Sequence, residues 1–278
     1  MASRSSSESA DSPTKSAALY SPVAVGAMTL TLGDAAIYRV IHRAQQKPYI
    51  LLLFPNKQSR SILFANLLNH LSIPGVAEMI DIVQSTANTY YIFRDTPGMS
   101  LSEYLVENYE MEEKDVVELG NRLCKILLSI ETARPGQTLD HLAPCNIFIG
   151  PNNDCTIVPT GFQSQDNTFT TTGLSIGEQF YYAPEKLKNG ISNPRTSVYA
   201  LGAILYATVV GRDPARQPHV FYPLRKQNSV LSKKLEQIIL KCMDPDPGKR
   251  YPSILQLHRQ LTRLNNAKPS FLSLFKKK

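Results

Sequence analysis

Leu139-Asp140-His141-Leu142-Ala143-Pro144-Cys145-Asn146-Ile147-Phe148-Ile149 is the stretch on which the fold of this chain turns. It sets an acidic and an imidazole side chain side by side, then turn-forming Pro144 and Asn146, then a short apolar run. An Asn in so tight a loop tends to hydrogen-bond nearby backbone groups. Four further stretches stand around it in order. Tyr90-Tyr91-Ile92-Phe93-Arg94-Asp95-Thr96-Pro97-Gly98-Met99-Ser100-Leu101 lies upstream. Downstream come Tyr181-Tyr182-Ala183-Pro184-Glu185, then Ser197 to Gly202 with Gly211-Arg212-Asp213-Pro214, then Cys242 to Ser253.

In this order and spacing, across residues 25 to 265, the stretches resemble a protein kinase domain, in particular that of bacterial Hanks-type (PknB-like) Ser/Thr kinases. The resemblance implies an α+β, two-lobed fold with a small β-rich N-lobe and a larger, mostly helical C-lobe. It places the kinase-like domain at residues 21–265, with the N-lobe at about 25–94 and the C-lobe at about 98–265. A disordered Ser-rich tail at 1–20 and a basic tail at 266–278 flank it.

The departures from the family pattern fall where phosphate chemistry is done. In His-Arg-Asp-Leu-Lys-Pro-x-Asn the base Asp is replaced by His141 and the phosphate-contacting Lys by Ala143, while Leu142, Pro144 and Asn146 persist. The strand Lys falls on Leu52 and its helical Glu partner on Phe64, so both halves of an ion pair are apolar. Joint replacement of this kind is neutral or stabilising where loss of one partner is not. Pro159-Thr160-Gly161 stands for Asp-Phe-Gly, which removes the carboxylate a hard cation needs. Of the glycine-rich loop only Gly33 remains, beside Asp34. Gly33 and Asn146 are weak nucleotide- or metal-binding candidates. Glu178 and Ser197 take two further positions that support the catalytic loop in the family.

Phosphoryl transfer depends on positioning and charge neutralisation. Loss of base, Lys and metal Asp together therefore predicts a non-enzyme, a pseudokinase with no cofactor that works by binding protein. The expected partner is an active Ser/Thr kinase or a phosphothreonine-binding protein. Two alternatives stand beside it: a nucleotide sensor without turnover, and an atypical phosphotransferase with Asp140 as base and Asp154 or Asp166 as metal ligand. Glu185 and Arg250 match a pair that braces the family's large lobe. Thr170 and Thr172 match two activation-segment threonines that are phosphorylated in PknB-like kinases.

Composition adds bounds. At 278 residues with 42% hydrophobic content the chain supports one domain with a substantial core. Cys124, Cys145, Cys155 and Cys242 form no CxxC pair, so neither zinc nor a disulfide framework is expected, and a cytoplasmic setting follows. The net charge of +7 reads as a solvated surface, with no nucleic-acid partner. Lys276-Lys277-Lys278, after Phe271, Leu272, Leu274 and Phe275, is the one run suited to a membrane surface. No apolar stretch reaches membrane-spanning length; the longest, Val198 to Val210, reads as a buried helix.

β-Branched, aromatic and aliphatic residues bounded by turn formers predict strands over Met28–Leu32, Ala36–Ile41 and Tyr49–Phe54. Periodicity predicts helices over 59–71, through Val116–Ile130, after a Ser232 cap, and through Ile254–Leu264.

Overall fold

A computed structural model describes residues 20–22, 30–32, 35–55, 72–108, 110–139, 141–151, 154–160, 162–164, 176–190, 192–214 and 223–266. The first six strands are β1 (Tyr20–Pro22), β2 (Leu30–Leu32), β3 (Ala35–His42), β4 (Pro48–Pro55), β5 (Met79–Gln84) and β6 (Asn88–Arg94). They form one antiparallel sheet in the order β1-β3-β4-β6-β5, with β2 also paired to β3.

Apolar, β-branched and aromatic residues make β4 a central strand, flanked on both sides. The register sets Ile37, Leu52 and Tyr91 opposite one another across the middle of the sheet. All three are buried, Leu52 completely. Because directly paired residues share a face, the next row of Arg39, Ile50 and Phe93 leaves the sheet on the same side.

From the sheet the chain crosses through Asp95-Thr96-Pro97-Gly98 into β7 (Met99–Ser100). Gly98 has φ +94°, and a Cβ there would fall 1.8 Å from the carbonyl oxygen of Ile149. Only glycine lets the crossing lie this close to the strand beneath it.

The lower lobe contains α1 (Leu101–Asn108), α2 (Glu113–Ala133), β8 (Gln137–Leu139), β9 (Ile147–Ile149), β10 (Cys155–Ile157) and β11 (Phe162–Ser164). It continues with α3 (Ile176–Gln179), α4 (Pro184–Asn189), α5 (Pro194–Val210), α6 (Leu224–Gln227), α7 (Lys233–Cys242) and α8 (Ile254–Asn266). Strands β10, β9 and β7 form one small antiparallel sheet, and β11 pairs with β8.

Helix α2 buries Val116, Leu119, Leu123, Ile126, Leu127 and Ile130 along one face, the spacing of an amphipathic helix. Helix α5 is buried on every side from Val198 to Val210, so it is the core around which α2, α7 and α8 pack. Its ends are specified locally. Asn193 caps the amides of Arg195 and Thr196, Pro194 opens the first turn, and Gly211 closes it in the left-handed conformation. Gly202 lets α7 approach, since a Cβ there would sit 2.4 Å from the Cβ of Cys242. Ser232 caps α7 by accepting from the amide of Leu235.

The α+β two-lobed architecture expected from the motifs is present, with one adjustment. Strand β1 begins at Tyr20, inside the stretch read as tail, because Tyr20 pairs with His42. The helix expected over 59–71, with Phe64, lies outside the described residues. Among the described residues no helix is long and apolar enough to cross a membrane.

Candidate functional site

The site is the loop between β8 and β9, and Asn146 organises it. Asn146 is fully buried in a single 3-10 turn, Pro144–Asn146. Its Oδ1 accepts from the amide of Ala143 at 3.0 Å. Its Nδ2 donates to the carbonyls of His141 at 3.2 Å and Val158 at 3.1 Å. Its own carbonyl accepts from the amide of Val158 at 2.8 Å. One side chain thus ties the loop to itself and to Val158, the residue that follows β10. Buried backbone groups need such partners, which is the physical demand that Asn meets here.

His141 is turned inward and buried. Its Nδ1 lies 2.5 Å from the hydroxyl of Tyr182, and its Nε2 lies 3.8 Å from the Sγ of Cys145. Burial, with Lys186 nearby as the smaller cause, pulls its pKa down to about 3. The imidazole is therefore neutral at pH 7, and it joins the loop to the segment leading into α4. Lys186, itself buried, places its Nζ 5.1 Å from the centroid of the Tyr182 ring. Ala143 is buried among apolar neighbours.

The sheet side of the site is apolar. Leu52 lies in the continuous hydrophobic core with Ile37 and Tyr91, and burial pushes the Tyr91 hydroxyl up to about 12. Pro159 is buried and brings no oxygen donor on its side chain. The hydroxyl of the adjacent Thr160 is buried with no hydrogen-bond partner among the described residues. A nucleotide-bound Mg²⁺ needs several oxygen ligands, carboxylates above all. Among the described residues here, one neutral hydroxyl and an amide already engaged by backbone do not by themselves fit that group. Nor, among the described residues, do three or more His, Cys, Asp or Glu cluster to hold a metal. Asp154, the alternative ligand, is exposed and pairs with Arg122 at 3.1 Å. Asp140, Asp166, Gly33, Phe64, Thr170 and Thr172 lie outside the described residues.

The brace below the loop is charged. Arg250 forms a two-pronged pair with Glu185, Nη1 to Oε1 at 2.7 Å and Nη2 to Oε2 at 2.9 Å. Its Nε donates to the carbonyl of Asp244 at 2.7 Å, and its guanidinium stands 4.9 Å from the centroid of the Tyr199 ring. The Arg250 side chain is wholly inaccessible and that of Glu185 is 17% exposed. Planar, five-donor geometry suits Arg to this position.

The roles of two residues were not legible in the sequence. Asp213 is buried and accepts from the hydroxyls of Tyr181, at 2.7 Å, and Ser102, which ties α1 to the segment before α4. Arg39 reaches from β3 to the crossing, where its Nε meets Asp95 at 3.1 Å. A lone cation between apolar strand residues was the available signal for Arg39.

With this geometry in hand, the chain matches the protein kinase domain family over residues 34–261, and it belongs to that family. It is 25% identical over 195 residues to the serine/threonine-protein kinase PrkC of Bacillus subtilis, covering 65% of this chain and 30% of that protein. It is 24% identical over 218 residues to the serine/threonine-protein kinase PknB of Mycobacterium tuberculosis, covering 73% of this chain and 34% of that protein. The chain thus spans about a third of the length of these curated relatives. The crystal structure of Rad53 1-466 in complex with AMP-PNP superposes with a TM-score of 0.67 at 17% identity, over 87% of this chain and 65% of that one, which shows the shared fold.

These findings overturn the expectation of a non-enzyme. The matched family is the protein kinase domain and its curated relatives are named Ser/Thr protein kinases, which points to an enzyme class. Groups missing from set positions do not show which other groups serve in their place.

Proposed function

We propose that this kinase-domain chain acts in phospho-signalling as a regulatory module that binds another protein. The partner class is a Ser/Thr kinase or a phosphothreonine-binding protein. The observation that carries this reading is the loop at 141–146. Its Asn and His bond inward to Ala143, Val158 and Tyr182, and the Glu185–Arg250 brace keeps the large lobe in shape. A fold held this firmly presents a defined surface. Thr170 and Thr172 are the proposed phosphosites, because phosphate adds charge and strong acceptors that a partner can grip.

A second reading is favoured by the names of the relatives: Ser/Thr phosphotransfer, with Asp140 in the role of base. One pair of assays separates the two. Purified chain and an active Ser/Thr kinase domain from the same cell are titrated by calorimetry, before and after treatment with ATP. Transfer of labelled γ-phosphate by the chain alone is followed in parallel. The first reading predicts saturable binding that a Thr170→Ala/Thr172→Ala double variant weakens at least tenfold after phosphorylation. Transfer that disappears in Asp140→Ala, with no binding of the kinase, would replace it with the second.

A further inference from the structure

The face of the sheet that carries Ile37, Leu52 and Tyr91 also carries Arg39, one row nearer the crossing. From there the guanidinium spans to the other lobe. Its Nη2 donates to the carbonyls of Thr96 at 2.6 Å and Gly98 at 2.9 Å. Its Nε donates to Asp95 Oδ1 at 3.1 Å. Its Cζ stands 5.9 Å from the centroid of the Phe148 ring, which belongs to β9 of the large lobe. The side chain is one-third exposed.

This is a recognition set before it is a structural contact. Two carbonyls converge on one nitrogen, a carboxylate flanks them, and an aromatic ring lies alongside. Such a set suits a flat cation that bears N–H groups along one edge. The Pro97 ring locks its own φ, and Gly98 lies close against Ile149, so the Thr96 and Gly98 carbonyls have little freedom to turn away.

We propose that Arg39 is a built-in occupant of an interlobe slot for planar amidine-type ligands. The chain fills this slot with its own guanidinium and thereby latches the sheet to the large lobe. Removing the side chain opens the slot while leaving its carbonyls, its carboxylate and Phe148 behind. Retaining the charge without the flat two-nitrogen edge, as in Arg39→Lys, restores the latch only in part. The inference does not depend on the partner proposed above.

Benzamidine is the probe, with neutral benzamide as control, and the readout is thermal shift supported by calorimetry on the intact chain. Arg39→Ala should melt below the unaltered protein and should bind benzamidine at least tenfold more tightly than it does. Arg39→Lys should lie between them, and benzamide should bind none of the three. Should Arg39→Ala fail to fold, Asp95→Ala removes one anchor and keeps the rest. It should speed amide exchange over residues 95–100, which reads the latch without benzamidine. Equal binding of benzamidine to variant and parent, or to neither, would overturn the proposal. Unchanged exchange in Asp95→Ala would overturn the latch.

Discussion

Leu52 and Asn146 are both completely buried, yet they are held by opposite means. Leu52 sits in the centre of the sheet among Ile37 and Tyr91, where burial alone fixes it and nothing has to be matched atom by atom. Asn146 sits in the large-lobe loop, where each of its side-chain groups is answered by a named backbone partner. The difference teaches how a site changes character. An apolar residue in place of a charged one merges with the core. A polar residue kept in place stays only if all its hydrogen bonds are satisfied, because an unmatched buried polar group is costly.

The largest test of that contrast lies at the brace. Arg250→Ala leaves Glu185 and three carbonyls short of their donor, and loss of one partner of a buried pair costs about 3–5 kcal/mol. Urea unfolding should show that loss, with the slope of the transition unchanged. A loss below about 1 kcal/mol, the worth of an exposed pair, would mean that the brace contributes little.

The next effect is pH dependence. His141 has a folded pKa lowered to about 3 against 6.5 unperturbed. Between these values the unfolded chain binds a proton that the folded chain refuses, so stability falls as pH drops through this window. The slope from this residue is at most about 1.4 kcal/mol per pH unit. Its contribution is complete above about pH 6.5 and is lost progressively below it. His258, also lowered by burial, adds to the same trend. Unfolding measured from pH 4 to 7 should therefore show a shallower fall for His141→Gln than for the parent. Identical slopes would place His141 in contact with solvent.

The smallest effect belongs to the apolar side. Leu52→Met conserves volume and needs no partner, so it should cost less than about 1.5 kcal/mol. A larger loss in thermal or urea unfolding would show that the sheet centre demands the same exact fit as the loop and would erase the contrast.

Much of this was legible in the sequence because it is local or motif-bound. The β-branched, aromatic and aliphatic runs of β3 and β4, the apolar face of α2 and the Ser232 cap are read from neighbouring residues. Asn146 was readable as a backbone-bonding residue because short polar side chains in tight loops behave that way. Arg39 and Asp213 were not. Their partners lie 56 and 111 residues away in the chain, at Asp95 and Ser102, and no local pattern encodes such a distance. The two-strand pairing of β8 with β11 was missed for the same reason. Family membership rests on the whole of residues 34–261, so single substituted side chains do not decide the class of activity.

The central claim is that the loop at 141–146 holds the large lobe together through Asn146. Comparing the parent with Asn146→Ala by urea unfolding, with and without millimolar Mn²⁺, tests it most directly. The account predicts a loss of about 3 kcal/mol in the variant, the worth of leaving buried backbone groups unpaired, and no effect of Mn²⁺ on either protein. A variant as stable as the parent, together with Mn²⁺ stabilisation that only the parent shows, would contradict it and make Asn146 a metal ligand.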